Sequence, residues 1–272
     1  MDSIPEYDSS LRGLPALEEL RELIRYRNLV FQTVRRNIVV RYKRSILGVA
    51  WTMLSPLGTT LVLTIVFSTI FGGTADYAVY VLCGLICWTF FVQTTNDSMN
   101  NLVWGGGLLR RIYVPRTVFA VAAIGTGLVN IVLSLVPLVL VMLITGVSPH
   151  FSMLVLPIPV IFLAMFALGI GLLLSTVAIY FADVADMYGI LLTAWMYLSP
   201  IIYKEEIVPM KYAWILHINP MYYLINLFRV PVYKGQVPGL AEFLTTGSIA
   251  LITLLIGWFV FSQKADEFAY RI

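Results

Sequence analysis

Long apolar runs separated by short polar segments dominate the chain from residue 47 onward. A helix that crosses a membrane needs roughly 20 mainly apolar residues, because its backbone polar groups must be satisfied within the helix itself. Six runs approach that length, and the pattern predicts six transmembrane helices over residues 47–71, 77–95, 117–145, 153–181, 188–203 and 244–261. The expected fold class is therefore all-α and polytopic.

One further apolar stretch, residues 207–231, lies between the last two runs and contains Pro209, Pro220 and Pro231. Proline lacks a backbone donor and breaks or kinks a helix. Broken backbone at membrane depth must be buried in protein or line an aqueous cavity. We interpret this stretch as two short re-entrant or interfacial helices that meet near Asn219 and Pro220.

Before residue 47 the chain is more polar, and apolar side chains recur there at helical intervals, at Leu17, Leu20, Ile24, Val30, Val34 and Ile38. Most of the neighbouring arginines fall off this stripe. The segment is too polar to span a bilayer and suits an amphipathic helix in the cytoplasmic interface; the alternative is a soluble helix packed on a partner. The predicted division is a cytoplasmic segment 1–46, a six-span domain 47–262 and a cytoplasmic tail 263–272.

The composition agrees with a membrane protein, since 59% of the residues are apolar and only 12% are charged. A soluble domain carries about 25% charged residues. The net charge of +3 is small, so the position of each cation is more informative than the total.

Lysine and arginine are distributed unevenly between the two sides of the predicted bundle. The N-terminal segment, the loop before residue 117 and the C-terminal tail hold nine, three and two of them, against four in the loop between the fifth and sixth spans. Cytoplasmic loops are enriched in Lys and Arg. This asymmetry predicts that both termini are cytoplasmic.

Several kinds of chemistry are missing from the sequence. There is no G-x-x-x-x-G-K-[ST] motif, so the chain has no P-loop with which to bind ATP. Cys83 and Cys87 lie within an apolar run and are interpreted as buried apolar side chains, and neither His has a second ligand at metal-binding spacing. We predict no metal, no cofactor and no catalytic residue in this chain. Uphill transport would require energy from another polypeptide.

Four motifs together resemble the permease subunits of ABC-2 type polysaccharide exporters: "VRYKRSILGVAWTMLSPL", "LLRRIYVPR", "FADVADMYGILLTAWMYLSPIIY" and "INPMYYLINLFRVPVY". Their order and spacing match from about Leu29 to Arg271. The family commonly has Arg-Asp where this chain has Ala182 and Asp183, so a role for that arginine is not carried over.

The resemblance implies a transport subunit and not an enzyme. It implies a homodimer in the bacterial cytoplasmic membrane, joined to two copies of a separate ATPase that binds ATP and Mg, with a lipid-linked polysaccharide (O-antigen, teichoic acid or capsular type) as the substrate. No nucleic acid is expected as a partner.

The resemblance also implies two functional regions. The loop from Asn100 to Arg111 resembles the coupling helix that contacts the ATPase, and the N-terminal helix resembles a second contact. The implied ATPase-coupling residues are Trp104, Leu108, Leu109, Arg110, Arg111, Arg41, Lys43 and Arg44. Residues 208–230 resemble outer gate helices, and the implied gate residues are Asn219, Pro220, Tyr222, Tyr223 and Arg229.

The residues themselves offer limited support for these roles. Three consecutive glycines precede Arg110 and Arg111, and Val114 before Pro115 disfavours a continuous helix. We expect this loop to fold back on itself. Alternatively, its arginines serve only to anchor the cytoplasmic side of the chain at the membrane surface. Aromatic rings suit sliding contact with sugars, and we predict a glycan-channel lining made of Tyr80, Trp88, Phe91, Trp195 and Tyr197. The alternative for aromatics is an interfacial belt.

Three other functions remain open on sequence grounds. An ABC-2 exporter of a drug or a simple lipid would have the same fold. An integral-membrane transferase would need a cluster of His, Asp or Glu at one membrane face, and the acidic pair Asp183 and Asp186 in the predicted loop between the fourth and fifth spans has no His beside it. A passive channel would need no coupling loop.

Overall fold

A computed structural model describes residues 15–43, 46–48, 50–68, 70, 76–104, 115–181 and 183–265. Ten α-helices account for most of these residues: α1 Pro15–Arg25, α2 Arg27–Tyr42, α3 Ala50–Phe67, α4 Asp76–Trp104, α5 Thr117–Thr145, α6 Pro157–Tyr180, α7 Val184–Leu198, α8 Ala213–Ile218, α9 Pro220–Arg229 and α10 Leu240–Lys264. Three 3-10 turns, Phe151–Val155, Glu205–Ile207 and Met210–Tyr212, and a π-helical turn, Val230–Lys234, complete the regular structure. The all-α prediction is confirmed for this part of the chain.

Five of these helices are long and apolar enough to cross a bilayer: α3, α4, α5, α6 with the turn before it, and α10. They match five of the six predicted spans. The predicted span 188–203 corresponds to α7, which has 15 residues and ends at Leu198. At 1.5 Å per residue α7 is about 22 Å long, shorter than the roughly 30 Å hydrocarbon core. A sixth crossing is therefore not established by length, and it stays a prediction.

Hydroxyl side chains inside these helices are satisfied by their own backbone. Thr94, Ser98, Thr126 and Ser175 each donate to the carbonyl four residues earlier, over 2.7–2.8 Å. This back-bonding lets a polar residue sit in an apolar environment without an unpaired donor. The polar residues in the apolar runs are thus compatible with membrane helices.

Helix α4 forms the centre of the bundle, in contact with α3, α5, α6, α9 and the π-helical turn. Helix α6 contacts α4 on one side and packs closely along α10 on the other, where Gly169 of α6 faces Gly257 of α10. A Cβ on Gly257 would collide with the Gly169 carbonyl oxygen, so the two backbones touch directly. Small residues allow such close approach between membrane helices.

The predicted N-terminal helix is divided at Tyr26 into α1 and α2. Helix α1 lies against one end of the bundle, where the Trp258 indole donates to the Ala16 carbonyl over 3.0 Å and Thr117 donates to the Glu19 carboxylate over 3.0 Å. Helix α2 packs along α5. The N-terminal helices and the last turns of α10 therefore lie at the same end of the bundle, called here the inner end.

Candidate functional site

The opposite, outer end carries residues 199–239, which connect α7 to α10 through several short elements. Helices α8 and α9 meet at Asn219, the position where the proline pattern predicted a junction. Asn219 caps α9, because its side-chain oxygen accepts from the Met221 amide over 3.0 Å, and Pro220 occupies the first helical position. Asparagine at the N-cap followed by proline is a strong helix-start signal.

Asn219 also ties this junction to the end of α7. The Trp195 indole donates to its side-chain oxygen over 2.7 Å, and its amide nitrogen donates to the Ser199 hydroxyl over 2.8 Å. The residue is only 7% exposed. A buried amide whose oxygen and nitrogen both have partners fixes the relative position of the elements it joins. Asn219 therefore links the predicted outer gate directly to a predicted lining residue, Trp195.

Arg229, at the end of α9, is the most deeply buried charged side chain among the described residues, with 4% exposure. Its guanidinium carbon lies 3.5 Å from the centre of the Tyr80 ring, and Nη2 donates to the Pro200 carbonyl over 3.0 Å. Its Nε has no partner within the described part of the chain. Burying a cation is costly unless it is paired or stacked, so this position is strongly constrained.

Two tyrosines of α4 hold the same backbone segment from the other side. Tyr77 donates to the Ile202 carbonyl over 2.9 Å, and Tyr80 donates to the Tyr203 carbonyl over 2.9 Å. Gly84 allows the segment to come close, because a Cβ there would lie 3.2 Å from the Ile201 Cα. Residues 200–203 are thus clamped between α4 and α9.

The remaining predicted gate residues lie nearer the surface. The Tyr222 phenol forms a 2.6 Å hydrogen bond with the Glu205 carboxylate, and Tyr223 donates to the His217 carbonyl over 2.9 Å. Burial, together with the adjacent Glu205 carboxylate, raises the pKa of Tyr222 above its ordinary value. The phenol therefore stays protonated and acts as the donor. Tyr222 joins α9 to the 3-10 turn that contains Glu205.

The predicted channel-lining aromatics form a cluster around α4, and most of it lies inside the protomer. Phe91 is fully buried and stacks on Phe166 at a centroid distance of 5.6 Å, with Trp195 edge-on at 5.2 Å. Trp88 is 6% exposed and Tyr80 is 7% exposed. Tyr197 differs from them, because 63% of it is exposed on α7. Sequence reasoning grouped residues that differ in exposure, since periodicity does not say which face of an apolar helix meets protein.

At the inner end Arg41 lies 3.4 Å from the Asp97 carboxylate, and both side chains are about one-third exposed, at 36% and 35%. Arg41 also borders a cavity of about 580 Å³ between α3, α4 and α5, into which Gln93 and Asn130 project.

Among the other predicted coupling residues, Lys43 is exposed and follows α2. Trp104 is the last residue of α4. Leu108, Leu109, Arg110, Arg111 and Arg44 lie outside the described residues.

Sequence reasoning missed several residues of these assemblies. Tyr77, Glu205 and Ser199 were not selected, although each contributes a hydrogen bond that holds residues 199–239 together or against α4 at the outer end. Asp97, which pairs with Arg41 at the inner end, was not selected either. A signal existed for it, because a lone carboxylate near the end of a membrane helix needs a cationic partner. No comparable signal marked Ser199 as the partner of a residue 20 positions away.

Comparison with known proteins assigns most of the chain to one family. A family model described as ABC-2 type transporter matches residues 28–233. The chain is 26% identical over 257 residues to the O-antigen export system permease protein RfbA of Myxococcus xanthus, covering 93% of this chain and 98% of the relative. It is 25% identical over 240 residues to the polysialic acid transport protein KpsM of Escherichia coli, covering 85% and 91%.

A capsule polysaccharide export inner-membrane protein, CtrC of Neisseria meningitidis, is 24% identical over 225 residues, covering 80% of this chain and 84% of the relative. These similarities extend over nearly the full length of each relative. The family match runs from α2 through the π-helical turn and so includes the contacts around Asn219 and Arg229 at the outer end. The chain therefore belongs to the ABC-2 type transporter family.

Proposed function

We propose that this chain is the permease subunit of an ATP-driven exporter that moves a lipid-linked polysaccharide across the bacterial inner membrane. The observation that carries the proposal is the near full-length similarity to proteins named for O-antigen export, polysialic acid transport and capsule polysaccharide export. The sequence lacks a P-loop, so a separate ATPase subunit binds ATP together with Mg and hydrolyses the ATP. The permease itself has no catalytic role.

The proposed topology has six spans with both termini in the cytoplasm. The cation asymmetry supports this orientation. In this arrangement α7 and the clamped segment after it make the fifth crossing, while α8 and α9 are re-entrant from the outer side. The division into residues 1–46, 47–262 and 263–272 follows from the same assignment.

The proposed interfacial position of the N-terminal segment rests on an uncovered apolar stripe. On α1, Leu17, Leu20 and Ile24 are 61%, 45% and 62% exposed. The contacts of Ala16 and Glu19 lie on another side of α1, where they hold the helix against the inner end. An exposed apolar stripe beside arginines favours the lipid interface. From there α1 and α2, with Arg41, Lys43 and Arg44, can transmit movement of the ATPase to α5 and α10.

A second copy of the chain is the proposed partner for α3 and α7. Both are apolar, and both contact the rest of the protomer less than α4, α5 or α6 do. Exposed positions include Leu61 at 63%, Ile65 at 69% and Ile190 at 74%. In a homodimer these faces would border the glycan path, and Tyr197 would lie between them and the outer gate. Trp88 borders the cavity beside α3, and its ring contacts Phe91 and Trp195. Tyr80 lies toward the outer end, against residues 200 and 203.

Cysteine cross-linking tests the homodimer. In the wild type Cys83 and Cys87 are fully buried, so oxidation is expected to give no dimer. Leu61→Cys and Ile190→Cys should each give a disulfide-linked dimer in membranes. The matched control is Leu255→Cys on α10, at a position that is 58% exposed, which should stay monomeric. Cross-linking at Leu255 alone would move the dimer interface to another face.

Coupling is tested by reversing the charge of the loop cations. We expect Arg110→Glu combined with Arg111→Glu to reduce ATPase co-purification and surface glycan at least about tenfold, because the proposed contact loses two cations. Lys211→Glu, an exposed cation at the outer end, is the control and should retain both.

Two outcomes would contradict the proposal. If the wild-type chain purifies without any ATPase, the ABC assignment of its energy source fails. If deletion of the gene leaves surface glycan unchanged but alters resistance to a drug or the transport of a simple lipid, the alternative ABC-2 substrate class is correct.

A further inference from the structure

A small cavity of about 210 Å³ opens at the outer end of the bundle, next to the clamped segment. Its walls come from α4, α9, the π-helical turn, the turn at Glu205 and the first turn of α10. Drug-sized ligands usually occupy roughly 300–1,000 Å³, so this cavity suits a smaller molecule. It is large enough for a single six-membered sugar ring.

One wall of the cavity is aromatic and rigid. The rings of Tyr80 and Tyr233 meet edge to face at a centroid distance of 5.6 Å. Tyr80 is held in place by the Arg229 guanidinium on its face and by the carbonyls that its hydroxyl contacts. Tyr233 is half-buried and shares the wall with Tyr222. Phenol rings offer an apolar face and a polar edge, the combination that a sugar ring presents in return.

The other walls are lined by charged side chains, several of which have unused hydrogen-bonding capacity. Within the described part of the chain, Lys204, Glu206 and Lys234 border the cavity and make no ion pair or side-chain hydrogen bond. Glu205 is bonded to Tyr222, and Glu242 accepts from the Gly239 amide over 2.9 Å. Two free donors and one free acceptor therefore surround the space.

The charge balance distinguishes between classes of ligand. Three cations, Arg229 and two lysines, face three glutamates around one small volume, so their formal charges cancel. A phosphate or carboxylate would meet repulsion from the glutamates, and an apolar molecule would leave the charged groups without hydration or partners. A neutral molecule with many hydroxyls can donate to the carboxylates and accept from the ammonium groups at the same time.

We propose that this cavity binds one neutral sugar residue of the exported glycan on the outer side of the permease. The proposal rests on the proposed function and adds a discrete sugar site formed within a single protomer. The ring lies against Tyr233, and its hydroxyls bond to Glu206, Lys204 and Lys234. Because Tyr222 and Arg229 border the same space, a sugar bound in the cavity contacts two of the proposed outer gate residues directly.

Saturation-transfer NMR with the full-length chain, purified with its co-expressed ATPase in nanodiscs, tests this site. The probes are glucose, galactose, mannose, N-acetylglucosamine and glucuronate, each as a free monosaccharide. We expect at least one neutral sugar to bind saturably with a dissociation constant on the order of 1 mM, weak enough for release. Glucuronate should bind at least about tenfold more weakly.

Variants at the cavity connect the signal to this site. Tyr233→Ala and Glu206→Ala should each weaken binding about tenfold, because one removes the aromatic wall and the other a charged hydrogen-bond acceptor. Glu206 is exposed and unpaired among the described residues, so its removal does not threaten folding. Tyr212→Ala is the control, an exposed outer tyrosine that does not line the cavity, and it should bind as the wild type does.

Three results would overturn the inference: no saturable signal from any neutral sugar, preferential binding of glucuronate, or binding that Tyr233→Ala and Glu206→Ala leave unchanged. Surface glycan measured in the same strains keeps the two proposals separate. Normal export with no sugar binding removes this site and leaves the proposed function intact. Specific sugar binding without any role of the chain in glycan export contradicts the proposed function instead.

Discussion

Helices α3 and α4 are both apolar enough to cross a bilayer, yet they differ sharply in what surrounds them. In the most apolar stretch of each helix, 83% of the residues of α4 are buried and only 11% of those of α3. Helix α4 contacts helices on several sides, whereas α3 contacts mainly α4 and α5. Two cavities, of about 580 and 470 Å³, lie beside α3.

Apolar character alone does not place a helix in the protomer core. Without a hydrophobic driving force inside a bilayer, helices associate through close packing and hydrogen bonds. Helix α4 carries the residues that form such contacts, including Gly84 and the two tyrosines that clamp residues 200–203. On α3 the hydroxyls of Thr60 and Thr64 are buried without a partner among the described residues. Only 11% of the most apolar stretch of α3 is buried within the protomer, so most of the surface of α3 remains for lipid or another chain to cover.

The largest expected effect is the loss of an aromatic ring from α4. Phe91→Ala should destabilise the protomer by about 3–5 kcal/mol, because Phe91 is fully buried and stacked on Phe166. Leu61→Ala on α3 should change stability by less than about 0.5 kcal/mol. Thermal unfolding of the purified monomer in detergent measures both. Equal losses at the two positions would remove the distinction between the helices.

A glycine on each helix gives the next comparison. Gly84→Leu should destabilise by about 1–3 kcal/mol, because a side chain there meets the Ile201 backbone and the Arg229 guanidinium. Gly58→Leu on α3 is the matched control, since a Cβ there has no neighbour within 4 Å and the residue borders a cavity. The same unfolding measurement applies. A larger loss at Gly58 would show that α3 is tightly packed in the protein.

The hydrogen-bonded junction at Asn219 should give a smaller effect. Asn219→Ala removes the cap of α9 and the acceptor of the Trp195 indole, with an expected loss of about 1–2 kcal/mol. Asn219→Asp keeps the acceptor and should recover part of that loss. Trp195 fluorescence reports the local change, and an unchanged emission maximum in the alanine variant would contradict the proposed junction.

The smallest effect is expected at the inner end of α4. Asp97→Asn should cost no more than about 1 kcal/mol, because the 3.4 Å pair with Arg41 is about one-third exposed. The loss should shrink as salt is raised. A loss as large as that of Phe91→Ala would show that the pair is shielded from solvent by a part of the protein beyond the protomer.

Much of the architecture could be read from the pattern of apolar residues. Five of the predicted spans coincide with helices, and Pro220 correctly marked the start of α9. These predictions succeed because the bilayer requires internally bonded backbone and proline interrupts it. The N-terminal helix was predicted as one piece and is two, divided at Tyr26; no proline or glycine marks that break.

The candidate site could be predicted less well. The pattern selected Asn219, Arg229 and Tyr80 as separate features, and did not indicate that Arg229 lies on the ring of Tyr80 or that both contact the Pro200 carbonyl. Such contacts join residues up to 149 positions apart in sequence. They depend on how α4 and α9 pack, which periodicity within one helix cannot specify.

The order of apolar and polar residues is enough to identify an all-α membrane protein, because local composition decides whether a segment can leave water and where its helix must end. The sequence also carries no P-loop. The packing of the helices, in contrast, makes α4 central and α3 peripheral, and it clamps residues 200–203 between Arg229 and two tyrosines. It also brings three cations and three carboxylates around one small cavity. Burial and pairing arise from side chains brought together across helices, whereas an apolar run looks the same in sequence whether protein or lipid will cover it.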